Sequence, residues 1–153
     1  MPEAKSIMGI SVAESLGFHA MAFLASNHGR IVKVKEITEK FGVSFHHLRK
    51  VMLRLEKEGL VIATQGPRGG YKLARPPSKI SLLEIFEAIE GKFPSSNCIF
   101  GNKICRGNGC IFGDFFVRTR EDFRRYLENT TISKFAEVFK DGRESIENKE
   151  ENV

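Results

Sequence analysis

The 153-residue chain lacks any long apolar run free of charge. Its most apolar stretch, residues 7–25, is interrupted by Glu14, Ser15 and His19. A signal-peptide core or a bilayer-spanning helix avoids such a carboxylate, so a cytoplasmic protein without a membrane segment is expected. Cysteine is scarce, with three in the chain. An odd number argues against a disulfide framework. No phosphate-binding glycine loop, Ser/His/Asp grouping or metallohydrolase motif occurs, so no enzyme is expected. No internal repeat is present.

What is there fits a folded domain with an appendage. Hydrophobic residues make up 41% and charged residues 28%, a balance that separates the chain from disordered sequences. The net charge of +5 is unevenly spread. Residues 1–79 carry 13 Lys and Arg against 6 Asp and Glu, residues 80–140 carry 9 against 8, and residues 141–153 carry 2 against 5. The basic first half suits a polyanionic partner once a fold gives that charge a purpose.

Periodicity predicts a mostly α protein. Residues 8–28 read as a helix with a broad apolar stripe, stopped by Asn27-His28-Gly29. Residues 31–34 read as a very short strand, and residues 34–41 as a short helix with Ile37 and Phe41 on one face. Gly42 ends it. Ser44 is a good N-cap for a third helix, in which Leu48, Val51, Met52 and Leu55 follow core spacing. Residues 60–64, a Gly/Pro cluster at 65–70 and residues 71–73 form a hairpin pattern. Ser81 and Glu84 have capping-box spacing at the start of a helix running to Glu90. Residues 92–113 read as a loop. Residues 114–128 are strongly helical, with Phe112, Phe115, Phe116, Phe123, Tyr126 and Leu127 on one side. Thr131 is expected to cap a further helix to about Phe139. Four units follow: residues 8–91, a loop at 92–113, helices at 114–140 and a disordered acidic tail at 141–153.

Two constellations carry chemistry. The first is helix, Gly turn, helix and hairpin, the order of a winged helix-turn-helix. A helix fits the major groove, where each base pair shows its own donor and acceptor pattern. The outward face of the third helix offers Ser44, His46, His47, Arg49 and Lys50. The hairpin adds Arg68 among small residues, with Gly69 and Tyr71 completing the candidate DNA contacts. On the residues alone, a polar helix face on a small α/β core explains the same pattern.

The second is Cys98, Cys105 and Cys110 in the loop. Thiolates are soft ligands that suit an iron–sulfur cluster or zinc. Gly101, Gly107 and Gly109 let backbone fold around a metal centre, and Lys103 and Arg106 offset cluster charge. Three ligands are one short of four. Zinc, a cluster-free thiol sensor and plain structural thiols are the alternatives.

The stretch from Val43 to Val61, the wing Gly66-Pro67-Arg68-Gly69-Gly70-Tyr71-Lys72-Leu73 and the Ile80-Ser81-Leu82-Leu83-Glu84-Ile85 segment together resemble the Rrf2 family of winged-helix transcription regulators, of the IscR/NsrR type with a three-cysteine cluster loop. The similarity runs from about residue 9 to residue 139. It implies a transcription regulator, a repressor by expectation, that binds double-stranded DNA as a homodimer. Residues 114–128 are the implied dimerisation helix. It also implies a cluster, 2Fe-2S or 4Fe-4S, on Cys98, Cys105 and Cys110 that senses redox state, iron or nitric oxide. In the two-iron type a His follows the last cysteine by three residues; here that position is Gly113. In the four-iron type a fourth ligand comes from the partner's first helix, which points to Glu14, with Ser15, His19 and His28 behind it. Arg49 and Lys50 stand where cluster-binding relatives often carry an acidic and an amide side chain, and Gln65 replaces an Arg, so a different operator is expected.

Overall fold

The computed structural model describes residues 10–93 and 111–140. Five helices and one hairpin follow in the order α1 Val12–Ser26, α2 Val34–Phe41, α3 Phe45–Lys57, β1 Val61–Thr64, β2 Gly70–Leu73, α4 Leu82–Glu90 and α5 Phe115–Asn129. Short 3-10 turns lie at Pro77–Lys79 and Ile132–Phe135. The acidic tail and all three cysteines lie outside the described residues.

Capping sets where helices begin. Ser81 accepts from the Glu84 N–H at 3.2 Å, while the Glu84 carboxylate accepts from the Ser81 N–H at 2.9 Å. The expected box is thus formed. The same Ser-x-x-Glu spacing starts α1, where Ser11 accepts from the Glu14 N–H and the Glu14 carboxylate accepts from the Ser11 N–H. The first helix therefore begins at Val12, later than its apolar stripe suggested. The Ser11 hydroxyl also donates to Glu90 at 2.9 Å, tying the start of α1 to the end of α4.

One core joins the elements. Met21 and Leu24 of α1, Ile37 of α2, Met52 and Leu55 of α3 and Ile85 of α4 are all essentially inaccessible to solvent. β1 and β2 pair antiparallel, from Val61 opposite Leu73 to Thr64 opposite Gly70. The expected strand at 31–34 is a single bridge: Val32 and Tyr71 exchange two backbone hydrogen bonds of 2.8 Å. That bridge is what docks the wing to the domain.

The chain after α5 returns to the same core. The Leu82 N–H donates to the Thr130 carbonyl and the Ile132 N–H to the Ile80 carbonyl, both at 2.9 Å. This pairing holds Thr130 and Thr131 extended, and the Thr131 side chain makes no cap. The expected helix to Phe139 is accordingly a 3-10 turn followed by irregular turns. Phe139 ends the path edge-on to both Phe23 and Phe41.

The apolar face of α5 is buried along one edge only. Leu127 is buried, and Phe123 packs against Phe86 and Phe93. Phe112, Phe115 and Tyr126 remain about half exposed, and Phe112 and Phe116 stack on one another at 4.3 Å. Only part of the helix meets the domain, chiefly along α4.

Gly70 makes the Val32 bridge possible. A Cβ there would lie 2.2 Å from the Val32 carbonyl oxygen, at φ +156°. Gly70→Ala is expected to destabilise the fold by about 2–4 kcal/mol, from overpacking plus strained φ. Urea unfolding of both proteins measures it, and an unchanged midpoint would contradict the bridge's role.

Candidate nucleic-acid interface

α2, the turn at Gly42 and α3 form the helix-turn-helix. Gly42 takes the left-handed conformation at φ 62°, closed by its N–H on the Thr38 carbonyl. Such a turn favours glycine because it has no Cβ to clash. Ser44 then caps α3, its hydroxyl accepting from the His47 N–H at 3.2 Å. A cap of this kind stabilises a helix by about 1 kcal/mol.

The start of α2 is fixed by charge. Arg30 donates to both Glu36 oxygens, at 2.9 and 3.2 Å, and the Lys33 N–H donates to the same carboxylate at 2.8 Å.

α3 buries Leu48, Val51, Met52 and Leu55. The opposite side leaves His46, Arg49 and Lys50 exposed and His47 partly so. Sequence spacing thus named both faces correctly. Ser44 lies at the same end, engaged as the cap. Among the described residues, Arg49, Lys50, Arg68 and Lys72 form no ion pair with a carboxylate, whereas Arg30, Arg75, Arg118, Arg124 and Arg125 do. Cations left without an internal partner are available to phosphates and base edges.

In the wing, Arg68 is exposed at the tip between β1 and β2. Gly69 sits so close to the Thr64 carbonyl oxygen that a Cβ would lie 2.1 Å from it. Gly69 thus shapes the tip, with its N–H donating to the Gly66 carbonyl at 2.9 Å. Tyr71 differs from the other candidates, since it is buried, 8% exposed, and holds the Val32 bridge. Burial pushes its hydroxyl above the ordinary 10.0, with Glu56 adding and Arg49 opposing. Tyr71 therefore holds the wing to the domain through Val32.

Two residues escaped the sequence reading. Phe45, the first residue of α3, is half exposed, with Arg49 over its ring. Arg54 donates to the Ile89 carbonyl at 2.9 Å, binding α3 to the last turn of α4. That partner lies 35 residues further along the chain, beyond the reach of helix spacing.

The candidate fourth ligand, Glu14, is fully buried and serves the α1 capping box. His19 Nδ1 donates to the Ser15 carbonyl at 2.6 Å, and its ring meets Phe41. Among the described residues no three His, Cys, Asp or Glu side chains gather as a metal site. Nor is any helix there long and apolar enough to cross a membrane.

The helix pair, the capped third helix and the docked hairpin define a winged helix-turn-helix DNA-binding fold. The Rrf2 family, described as an iron-dependent transcriptional regulator, matches residues 10–138. The chain belongs to the Rrf2 family of transcriptional regulators. A protein of Aquifex aeolicus (strain VF5), assigned as an HTH-type transcriptional regulator, is 32% identical over 122 residues, covering 78% of this chain and 85% of that one. CymR (YrzC), the global cysteine regulator of B. subtilis, is similar in structure with a TM-score of 0.71 and 25% identity, over 84% of this chain and 96% of CymR. IscR of T. potens gives a TM-score of 0.65 and 27% identity, over 84% and 86%. These are regulators rather than enzymes.

The Arg30–Glu36 pair carries a pH signature. The Arg30 guanidinium holds the Glu36 carboxyl below its ordinary 4.5, against the opposing effect of burial and with help from the Lys33 N–H. A carboxyl lowered on folding contributes stability that is complete above the unfolded value and lost as pH falls through the folded one. Glu36→Gln is therefore expected to lower the urea midpoint at neutral pH, with the difference shrinking below pH 4.5. A difference independent of pH would contradict the pairing. The effect is small, because both side chains are partly exposed.

Proposed function

We propose that this regulator is a homodimeric repressor whose α3 and wing read a two-fold operator, and whose DNA affinity is set by an iron–sulfur cluster on Cys98, Cys105 and Cys110. The observation that carries the DNA reading is the exposed His46, Arg49 and Lys50 face of a capped helix, set beside a docked wing that exposes Arg68. Arg49 and Lys50 reach base edges in the major groove, and Arg68 meets a phosphate or the minor groove.

The dimer reading rests on α5. Phe112, Phe115, Val117 and Tyr126 stay exposed on one helix and its lead-in. Phe112, Phe115 and Tyr126 share a side, and a second copy packed along it covers apolar surface that a monomer leaves in water.

The cluster reading rests on the donor set. Three thiolates suit iron, and the matched family is described as iron-dependent. When bound, the group would supply a centre reactive toward oxidants and nitric oxide. Lys103 and Arg106 would balance its charge. Glu14 could serve as fourth donor only by leaving the α1 cap, where it is buried. The cysteine segment leaves from the end of α4, which Ser11 ties to α1 and Arg54 ties to α3. A change in that segment thereby bears on the reading helix through the Arg54–Ile89 hydrogen bond. The likeness to a global cysteine regulator supports a second reading, in which the same fold responds through thiol oxidation, zinc, a small ligand or a partner protein.

Two experiments test this. DNA selected from a random pool by the wild-type protein is titrated with Arg49→Ala, Lys50→Ala and Arg68→Ala. The first two are expected to lose about 5- to 100-fold in affinity for the selected duplex, as for base-reading contacts. Arg68→Ala is expected to weaken selected and scrambled duplexes alike. Unchanged affinity in all three removes the reading face. Separately, anaerobically purified protein is expected to be brown and to contain iron and sulfide that Cys105→Ser loses. Its DNA affinity should differ from that of the cluster-free protein by about fivefold or more. Colourless protein whose affinity changes on thiol oxidation favours the second reading.

A further inference from the structure

We infer that Phe45 is a specificity-determining residue, which reads the C5-methyl group of a thymine and at the same time orients Arg49. The inference rests on the DNA-reading role proposed for α3.

Phe45 opens α3 directly after the Ser44 cap. Its ring is 49% exposed, although the core stripe of the same helix is closed to solvent one turn later, at Leu48. A single exposed apolar side chain is ordinary on a protein surface. Two features set this one apart. Its position is at the N-terminal turn of the second helix of the helix-turn-helix, the part that approaches base edges in this fold. Its ring is also held in place: the His46 ring meets it edge-on at 5.9 Å, and the Arg49 guanidinium lies 6.0 Å from its centre.

The chemistry narrows what Phe45 reads. A phenyl ring neither donates nor accepts a conventional hydrogen bond. Among the groups displayed in the major groove, the apolar one is the thymine C5-methyl. At the base pair it covers, the ring gains by burying that methyl, and it desolvates the N4 donor if cytosine stands there instead. The polar neighbours on the same face, His46, Arg49 and Lys50, have no such preference. Arg49 gains as well. A guanidinium attracted to the ring face is restricted in orientation, so its donors are aimed with less entropy to lose on binding. Phe45 and Arg49 thus act as a pair on adjacent bases.

The test uses full-length protein and duplexes selected by the wild type from a random pool. Each thymine is replaced singly by deoxyuridine, which removes the methyl and keeps every hydrogen-bonding group. Affinities are measured for wild type, Phe45→Ala and Phe45→Leu, with helicity and thermal unfolding followed in parallel. Wild type is expected to lose about 3- to 10-fold at one thymine in each half-site, the scale of burying one methyl group with its neighbours. Phe45→Ala is expected to bind the unmodified duplex more weakly and to be indifferent to deoxyuridine at that thymine, while staying sensitive elsewhere. Phe45→Leu should retain part of the methyl effect. If Phe45→Ala binds as tightly as wild type, or responds to every deoxyuridine as wild type does, the inference is overturned. A pool from which no sequence is enriched fails at an earlier step and overturns the reading face itself.

Discussion

The molecule depends on the burial of one side of α3. Leu48, Val51, Met52 and Leu55 each lose essentially all contact with water. Each such burial is worth about 1.5–3 kcal/mol, far more than any single surface ion pair. Once those four face inward, helical geometry leaves the intervening positions no choice. His46, Arg49 and Lys50 must point outward. The cap at Ser44, the turn at Gly42 and the packing of α2 through Ile37 fix where the helix starts and how it leans. The outward polar face of α3 is thus a by-product of core formation.

The wing is held by a different device. Two strands of four residues do not make a stable sheet in water alone. Here the hairpin is docked through Tyr71, whose backbone bonds Val32 and whose side chain is buried. Tyr71, a candidate DNA contact in the sequence, is thus also the residue that docks the wing. Gly69 and Gly70 follow suit, because their missing side chains let backbone approach backbone.

Local signals explain what was legible in the sequence. The boundaries of α2, the cap at Ser44, the two faces of α3 and the box at Ser81 all depend on residues within a turn of each other. The overlooked box at Ser11 has the same spacing as that at Ser81, and only the apolar residues preceding it obscured the start. What was not legible depends on distant partners. Arg54 needs the Ile89 carbonyl, Thr131 is held extended by Ile80 and Leu82, and Phe123 turns inward to Phe86 and Phe93. The half-exposed ring of Phe45 was hidden for another reason: composition makes every Phe a core candidate. α4 and the residues just after it gather several of these long-range ties, to α1, α3 and α5.

The central claim is that α3 lies in the major groove and recognises bases there. Dimethyl sulfate interference on the selected duplex tests it directly, because the reagent methylates guanine N7 in the major groove and adenine N3 in the minor groove. The account predicts that methylation of guanine N7 within each half-site blocks binding by the wild-type protein, and that Arg49→Ala loses this sensitivity at one guanine. Interference confined to adenine N3 would contradict it.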